Sequence, residues 1–367
     1  MLIEPKIHAT FQEMQVLHRH IEALATLEET EDSVISAFFD LRECTDALRS
    51  KFNQWSTIAR SAIPSSRRAS FDQARQETQL MFRQTWPDSV KSVAAFCRVG
   101  EKPLLLFLPF SATMENHFHV GELPAIFPLV QLKDRFYRFV VIINTDDSSR
   151  IFEITLGAIS EQILASRPEM NQRVGREWTR EHFHDKKREN DRRFLKDQVE
   201  IISSLMAKRG HNHLILAGHP RNVSALRSAL PKELEARVVD TVLQAPNGQD
   251  YSMVLEHAIE AFIEVEQIES HSTVERLHQQ LCRNGLATVG TAKTLQAIEY
   301  GAASELVISE ELNIAEREEL VRLATARGVP IEVCEGDELL NSHGGVGCLL
   351  RYRMDFLEPE ELVSNIS

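Results

Sequence analysis

Cysteine is scarce in this sequence, and long apolar runs are absent. The 367 residues include five cysteines at scattered positions, an odd number that predicts neither a disulfide framework nor a zinc motif. No apolar run reaches the roughly 18 residues of a membrane-spanning helix. The first residues lack a charged segment followed by an apolar one, so no secretory signal is expected. Together these absences favour a protein of the reduced cytoplasm.

Positive charge is also in short supply, with 41 Lys and Arg residues against 54 Asp and Glu residues and a net charge of −13. Indiscriminate binding to nucleic acid needs a positive field, so it is not expected. The basic residues are nevertheless concentrated. Residues 49–98 hold nine Lys and Arg against three acidic residues, residues 173–196 hold nine against five, and residues 283–367 hold seven against fifteen. The first two blocks suit phosphate and the last suits a protein surface, although each block also matches an ordinary solvated helix surface.

The first third of the chain has the pattern of an α/β domain. Three apolar runs have the length of strands, and two helical patterns lie between the first two runs. Leu48, Phe52, Trp55 and either Ile58 or Ala59 recur at helical spacing in the first helix, and Ser70 is the predicted N-cap of the second. The strand-like runs are SVISAFFDL, SVAAFCRV and KPLLLFLPF.

The joint between these two helices is the segment IPSSRRAS. Pro64 and the serines interrupt the helical pattern. Arg67 and Arg68 therefore lie at the predicted tip of a helix–loop–helix, where both guanidinium groups are expected to point outward.

The rest of the chain alternates strands and helices, which again favours an α/β fold. A predicted hairpin precedes a basic helix that starts at about Phe183. A long helix from about Tyr251 to Cys282 leads to a last unit of about 90 residues, predicted to be an α/β/α sandwich. In that unit Thr291 is the predicted helix cap and Gly301 the helix end. The hairpin is RFYRFVVIINTD and SRIFEITLGAI, and the later predicted strands are HLILAG, SELVISEEL, VPIEVC and VGCLLRYR.

Two histidine pairs are the candidates for metal ligands, His182 with His184 and His211 with His213. Residues two apart on a helix point in nearly opposite directions, and no Asp, Glu or Cys lies at a ligand spacing. Both pairs are predicted to be surface or loop histidines, and neither a metal nor a cofactor is expected. The turn GHPRNVSALR is interpreted as an ordinary strand-to-helix turn rather than a phosphate site, because it lacks a glycine-rich loop.

Three motifs mark the last unit: a glycine ahead of a helix that ends in a glycine turn, a leucine-containing strand, and a paired-glycine run that ends in LRY. They lie at Gly290–Gly301, Leu306–Ser309 and Gly344–Tyr352. With these motifs the unit resembles the C-terminal domain of the class I peptide chain release factor and Pelota family of archaea and eukaryotes. That resemblance implies the α/β/α fold of the kink-turn-binding ribosomal proteins.

The order of the two preceding units resembles the same family, and implies three α/β domains at residues 1–132, 133–270 and 271–367. The chain is identified as a bacterial member that is similar to the Balon-like ribosome hibernation factors. The resemblance implies a cytoplasmic translation factor of the stress response that binds ribosomal RNA in the A site. It also implies a translational GTPase partner, such as elongation factor Tu, docked on the acidic last domain, and no membrane.

The sequence departs from the family at three motifs. The Gly-Gly-Gln triplet of the release factors is replaced by Arg176, Glu177 and Trp178, and without two glycines the backbone approaches RNA less easily. The expected protein is therefore not a hydrolase. The Asn-Ile-Lys-Ser motif of codon-reading factors is replaced by IPSSRRAS, and the Asn-Glu pair of kink-turn binders by Ala292 and Lys293, so neither codon reading nor kink-turn binding is expected.

Eight residues are predicted to contact ribosomal RNA. The arginines of the helix tip face the small subunit, the cations of the basic segment neutralise phosphates, and Trp178 stacks on a splayed base or packs against its own domain. Two other interpretations are a peptidyl-tRNA hydrolase, in which Gln172 or Glu177 activates water, and a protein-interaction module unrelated to ribosomes. The eight residues are Arg67, Arg68, Arg176, Trp178, Arg180, Lys186, Lys187 and Arg188.

Overall fold

A computed structural model describes most of the chain, with three β-sheets among helices. The described residues are 17–135, 139–145, 148–155, 158–166, 180–209, 211–243 and 251–354, with the backbone alone for 158–166, 180–188 and 208–209. The chain divides into two compact units. The larger unit holds the described residues of 17–135 and 266–354, and the other holds those of 139–155 and 159–265. The expectation of a mixed α/β fold with several sheets is confirmed.

The first sheet belongs to the larger unit and is antiparallel, with strand order β3-β2-β1-β4. One face packs on α2 and α3 around Phe39, Phe52 and Phe71, each of them buried, since these apolar side chains recur at strand or helix spacing. The strands are β1 Val34–Asp40, β2 Ser92–Arg98, β3 Leu104–Phe110 and β4 His117–Gly121; the helices are α1 (residues 17–25), α2 Thr45–Ala62, α3 Arg68–Thr78 and α4 Phe127–Arg135.

Several local predictions for this region are wrong. Ser70 is not an N-cap, because a 3₁₀ turn over Ser65–Arg67 leads directly into α3. The Ser70 hydroxyl instead donates to the carbonyl oxygen of Arg67. Of the two alternatives at the end of the apolar spacing in α2, Ile58 is 63% exposed, whereas Ala59 packs against the core. The strand β4 and the helix α4 were not predicted. The pattern around Pro128 does not predict a helix, yet a proline is tolerated in the first turn of a helix.

The second sheet forms the core of the other unit, in the order β7-β6-β5-β8-β9. The predicted hairpin is confirmed as β5 and β6, and β8 pairs parallel to β5. Helices cover both faces, which explains why β5 is apolar at nearly every position. The strands are β5 Phe139–Asn144, β6 Ser148–Thr155, β7 Ala158–Ser166, β8 His213–Gly218 and β9 Val238–Val242; the helices are α5 Arg180–Arg209, α6 Pro220–Ala229, α7 Lys232–Glu235 and the first part of α8 Ser252–Cys282.

The third sheet lies in the larger unit, in the order β10-β13-β11-β12. Only the β11–β12 pair is parallel among the described pairings of this sheet. Gly290, not Thr291, is the N-cap of α9, and the Thr291 hydroxyl instead donates to Glu316. The strands are β10 Ala287–Val289, β11 Ala303–Ser309, β12 Ile331–Cys334 and β13 Val346–Leu350; the helices are α9 Thr291–Glu299, α10 Ile314–Ala326 and α11 Glu338–Ser342.

Each of the three sheets falls within one of the predicted ranges 1–132, 133–270 and 271–367, whose boundaries stay predictions. None of the helices in the described residues is long and apolar enough to cross a membrane.

Helix α4 joins the first and third sheets through its N-terminus. The carboxylate of Glu318 on α10 accepts hydrogen bonds from the backbone N–H groups of Ile126 at 2.8 Å and Phe127 at 3.2 Å. Glu318 is 8% exposed. The first N–H groups of a helix have no acceptor within the helix, and the positive end of its dipole favours a carboxylate. Glu318 therefore supplies from the third sheet the cap that α4 lacks locally.

Two arginines flank this carboxylate on α10. The guanidinium carbon of Arg317 lies 3.9 Å from the centre of the Phe127 ring, a cation–π geometry. Arg322 donates to the carbonyl oxygens of Leu24 at 3.2 Å and Pro124 at 2.6 Å. Burial raises the pKa of Glu318, an effect that the two backbone hydrogen bonds and both arginines oppose.

The C-terminal end of α4 is also bound to the third sheet. The carboxylate of Asp134 accepts a hydrogen bond of 2.9 Å from the backbone N–H of Val333 on β12. Arg135 forms ion pairs with Glu310, at 3.6 Å, and with Glu335. Both ends of α4 are thus fixed to the last part of the chain.

Two histidines of β4 face the same arginines. The pKa of His117 is lowered by burial, then by His119 and by Arg317, while Glu115 acts in the opposite direction. The pKa of His119 is lowered by burial and by Arg322. Both imidazoles are therefore neutral in the folded protein at neutral pH, and protonation would place two further positive charges beside two guanidinium groups.

Replacement of Glu318 by alanine is expected to destabilise the larger unit by about 2–3 kcal/mol, because two N–H groups of α4 lose a charged acceptor in a buried site. The measurement is urea denaturation of the full chain. Glu319→Ala is the matched control, since Glu319 is the exposed neighbour on the same helix. Equal losses in the two variants would contradict this account of the cap.

Acid is expected to weaken the wild-type protein relative to a His117→Asn/His119→Asn variant. The folded pKa of each histidine lies below its ordinary value, so the folded state binds fewer protons and stability falls as the pH drops below about 6.5. The comparison is the difference in urea midpoint between the two proteins from pH 7.5 to 5.5. Buried carboxyls such as Glu318 have raised pKa values and change the stability with pH in the opposite direction. Both proteins contain these carboxyls, so their contribution cancels in the difference between the two midpoints. A difference in urea midpoint that does not change with pH would show that protonation of the two histidines does not affect stability.

Candidate nucleic-acid interface

The basic segment singled out in the sequence forms the first part of α5. The helix begins at Arg180, three residues earlier than predicted. The backbones of Arg180, Lys186, Lys187 and Arg188 are helical, whereas their side chains lie outside the described residues, as do Arg176 and Trp178 entirely. The predicted contacts of these six residues with RNA stay predictions.

The described part of α5 has one buried side and one charged side, on which Glu189, Asp197 and Glu200 are exposed together with three cations. Phe194, Gln198 and Ile202 are buried at four-residue spacing and hold the helix on the sheet. Gln198 donates a hydrogen bond of 3.2 Å to the side-chain oxygen of Asn144 on β5. This anchoring fixes which side of the helix faces water.

Three cations are exposed on the described part of α5, namely Arg192, Arg193 and Lys196. The sequence prediction counted them in the basic block but left them out of the predicted contacts. The signal was available, because they continue the same charge run at positions between the buried residues. They extend the candidate interface along the helix, where exposed cations suit a phosphate backbone.

The two arginines of the predicted helix tip are held by the protein itself. Arg67 Nη1 donates to a carboxylate oxygen of Glu122 at 2.9 Å, and the Arg67 side chain is 30% exposed. Arg68 Nε donates to the carbonyl oxygen of Ile63 at 3.1 Å. The expectation of two freely outward-facing guanidinium groups is wrong, because acceptors far along the chain or in the preceding turn engage them. An exposed ion pair of this kind contributes only about 0–1 kcal/mol, so a phosphate can compete for Arg67.

A second ion pair stands below the same tip. Arg60 donates to both carboxylate oxygens of Asp72, at 2.7 and 2.8 Å. The hydrogen bond from Arg60 lowers the pKa of Asp72, so this carboxylate stays ionised. It offsets the charge of one arginine in the first basic block, and it is one of the three acidic residues already counted there.

The histidine predictions need one correction. His211 is not a surface residue: it is fully buried, with Nε2 2.7 Å from Oε1 of Glu153 on β6. Its partner lies 58 positions away, so no local spacing could reveal the pair. His213 opens β8 and lies against the ring of Phe262. The side chains of His182 and His184 lie outside the described residues.

The turn after β8 has the ordinary geometry predicted for it. The Nδ1 atom of His219 accepts a hydrogen bond of 3.3 Å from the backbone N–H of Arg221 and so caps α6. A Cβ at Gly218 would lie 2.3 Å from the carbonyl oxygen of Asn144, and its φ is +132°. Only glycine fits so close to a neighbouring strand. The glycine therefore serves packing in this turn.

The last part of the chain presents acidic side chains. Ala292 and Lys293, which replace the kink-turn-binding pair, are exposed on the first turn of α9. The Thr291 hydroxyl beside them donates to the carboxylate of Glu316, and a carboxylate at this point opposes an RNA phosphate. Other exposed acidic residues of this region are Glu299, Glu311, Glu319, Glu335 and Glu338.

Comparison with known proteins gives two adjacent family matches. Residues 124–262 match the bacterial archaeo-eukaryotic release factor family 10, and residues 267–354 match domain 3 of the eukaryotic release factor eRF1. Among curated relatives, the chain is similar to a Pelota homolog of Thermococcus gammatolerans, with 28% identity over 189 residues, 47% of this chain and 52% of the relative. A Pelota homolog of Halobacterium salinarum is 31% identical over 136 residues, 32% of this chain and 37% of the relative.

The chain thus spans about half the length of the curated relatives it matches. Among solved structures, it is similar to the model of ribosome-bound archaeal Pelota and ABCE1, with 15% identity, a TM-score of 0.45 and coverage of 93% of this chain and 95% of the other. Because that TM-score is below 0.5, the likeness rests on the sequence matches. By those matches the chain is similar to bacterial archaeo-eukaryotic release factors over residues 124–262 and to eRF1 domain 3 over residues 267–354.

Proposed function

We propose that the protein is a ribosome-binding translation factor that occupies the A site without hydrolysing peptidyl-tRNA, in hibernation or in the handling of stalled ribosomes. The observation that carries this proposal is the pair of adjacent release-factor matches over residues 124–262 and 267–354. The matching proteins carry the names of translation factors, so the ribosome is the proposed partner. Ribosome hibernation and the A site follow from the sequence resemblance.

The structure supports the proposal through α5. A basic helix whose other side is anchored on a sheet presents its cations on a rigid support. Arg192, Arg193 and Lys196 are exposed there, in continuity with the cations of residues 180–188. Phosphate contacts of this kind supply affinity and position without reading sequence, as a factor that binds one fixed RNA surface requires.

Absence of hydrolysis is proposed from the residues ahead of α5. Arg176, Glu177 and Trp178 stand where the release factors have Gly-Gly-Gln. Side chains replace the hydrogen atoms of two glycines, and the amide that would position a water is missing. Occupancy of the site without release is the consequence.

A translational GTPase such as elongation factor Tu is the proposed protein partner of the last sheet. The support is electrostatic: glutamates such as Glu299, Glu311 and Glu319 are exposed there, and such carboxylates steer a basic protein surface toward them.

A variant with Arg192, Arg193 and Lys196 each changed to Gln is expected to leave ribosomes at lower salt than the wild type. Each lost phosphate contact reduces the salt dependence of binding by roughly one unit in the logarithmic slope. Cosedimentation with purified ribosomes over a series of salt concentrations measures the effect.

The matched control changes Lys232, Arg283 and Arg327 to Gln. These three cations are also exposed, and the net charge changes by the same amount. If both triple variants dissociated from ribosomes at the same salt concentration, the three cations of α5 would not belong to the interface. Wild-type protein that stays at the top of the gradient at low salt would refute ribosome binding itself.

Wild-type protein is expected to release no more peptide from peptidyl-tRNA on ribosomes than buffer does, because the Gly-Gly-Gln triplet is missing. The assay is single-turnover release from stalled complexes, with a bacterial release factor as the positive control. Release that disappears in Gln172→Ala or Glu177→Ala would establish the hydrolase instead. The proposal requires that the wild type, Gln172→Ala and Glu177→Ala all release no more peptide than buffer does.

A further inference from the structure

A cavity of about 210 Å³ lies beside α4, where the surroundings of the first sheet meet α10. The segment ahead of β4 lines it with Glu115, β4 with His117 and α10 with Arg317, while α4 lines it from Phe127 to Arg135. This space, the α4 cavity, belongs to the larger unit and takes no part in the candidate interface on α5.

The volume of the α4 cavity limits what it can hold. An apolar cavity of about 150 Å³ accepts benzene. In proportion, the 210 Å³ found here accept a molecule of roughly eight or nine non-hydrogen atoms. A free amino acid with an aliphatic side chain has this size, whereas a nucleotide is too large.

Four charged side chains of the described residues line the α4 cavity, two of each sign. Arg135 and Glu310 form an ion pair at 3.6 Å, so these two charges offset each other. His117 is neutral at neutral pH because burial lowers its pKa. The charges left for a ligand are therefore those of Arg317 and Glu115.

The guanidinium group of Arg317 is held by contacts that leave one nitrogen atom available. Its carbon lies 3.9 Å from the centre of the Phe127 ring, and Nη1 donates to the carbonyl oxygen of Glu310 at 2.6 Å. Nη2 is reached by solvent and donates to none of the described residues. A cation fixed in this way is preorganised for a carboxylate, since little rotamer freedom is lost on binding.

Glu115 provides the opposite charge at the same cavity. Its side chain is exposed and has neither a hydrogen bond nor an ion pair with the described residues. An ammonium group, with three donors and a positive charge, is a matching partner for this carboxylate. The apolar side chains of Met114, Pro128 and Leu132 also line the cavity and suit an aliphatic group.

We propose that the α4 cavity binds a free α-amino acid with an aliphatic side chain. Arg317 receives the carboxylate, Glu115 receives the ammonium group, and the aliphatic side chain lies against the apolar lining. A simple anion would face the carboxylate of Glu115, and a simple cation would face the guanidinium group of Arg317. A molecule that carries both charges satisfies both groups.

The bound amino acid would contact β4, α4 and α10 at once. It binds the folded arrangement of these elements and not the unfolded chain, so it stabilises the larger unit increasingly as its concentration rises. The junction of the first and third sheets at α4 is therefore the part of the fold that responds to the amino acid.

Isothermal titration calorimetry of the purified full chain with L-leucine tests the site. We expect one equivalent to bind. Two analogues each lack one charge: isocaproate has no ammonium group, and leucinamide has no carboxylate. Each is expected to bind about tenfold more weakly or less, because a hydrogen bond between charged groups is lost.

Glu115→Gln is expected to weaken the binding of L-leucine about tenfold or more. It should not weaken the binding of isocaproate, which has no ammonium group for Glu115. The variant should fold as the wild type does, because the Glu115 side chain is exposed. Glu101→Gln is the matched control, since Glu101 is an exposed glutamate of the same unit outside the cavity lining, and it should bind L-leucine as the wild type does.

Wild-type protein that does not bind L-leucine at millimolar concentration would overturn the proposal. Equal affinities for L-leucine, isocaproate and leucinamide would do the same, because the two charges would then play no part. Wild-type affinity for L-leucine in Glu115→Gln, or an equal loss in Glu115→Gln and Glu101→Gln, would also contradict it.

Discussion

The larger unit depends on one buried contact, the carboxylate of Glu318 with the first N–H groups of α4. A buried carboxylate costs free energy unless it is hydrogen-bonded, and the N–H groups at a helix start have no acceptor of their own. The hydrogen bonds between them offset the desolvation cost of the carboxylate and that of the N–H groups at the same time. Since α4 follows the first sheet in the chain and Glu318 lies between β11 and β12 of the third, this exchange joins the surroundings of the two sheets. Together with the contacts of Asp134, Arg135 and Arg322, it holds both sheets in one compact unit.

Several other buried polar side chains of the larger unit are hydrogen-bonded to backbone in the same way. Arg98 is 1% exposed and donates to the carbonyl oxygens of Lys102 at 2.7 Å and Glu28 at 3.0 Å. Asp134 accepts from the backbone of Val333, which binds α4 to β12. Contacts of this kind add little net stability, but a misplaced partner leaves a buried charge unpaired. They therefore select one arrangement of segments that are far apart in the chain.

The candidate interface combines this rigidity with surface charge. On α5, buried Phe194 and Ile202 fix the helix on its sheet, so Arg192 and Arg193 face water in a defined orientation. A protein with a net charge of −13 can meet RNA only where its cations are gathered, and on α5 they stand beside the exposed acids Glu189, Asp197 and Glu200. The exposed glutamates around α9 and α10 suit a protein partner. The local arrangement of cations, rather than the total charge, decides where the proposed RNA contact lies.

The sequence by itself determined the periodic elements. Strands such as β1 and helices such as α2 and α10 were predicted because apolar residues recur with the period of the element that buries them. Motifs in the last third, at Gly290–Gly301, Leu306–Ser309 and Gly344–Tyr352, carried the resemblance to the release factor and Pelota family. Tertiary structure decided what depends on distant partners: the burial of His211 beside Glu153, the pairing of Arg67 with Glu122, and the capping of α4 by Glu318. These contacts join residues 55 to 192 positions apart, and no local pattern encodes a partner at such a distance. The helix α4 itself was missed because Pro124 ahead of it and Pro128 in its first turn have the pattern of a loop until an acceptor from α10 satisfies that turn.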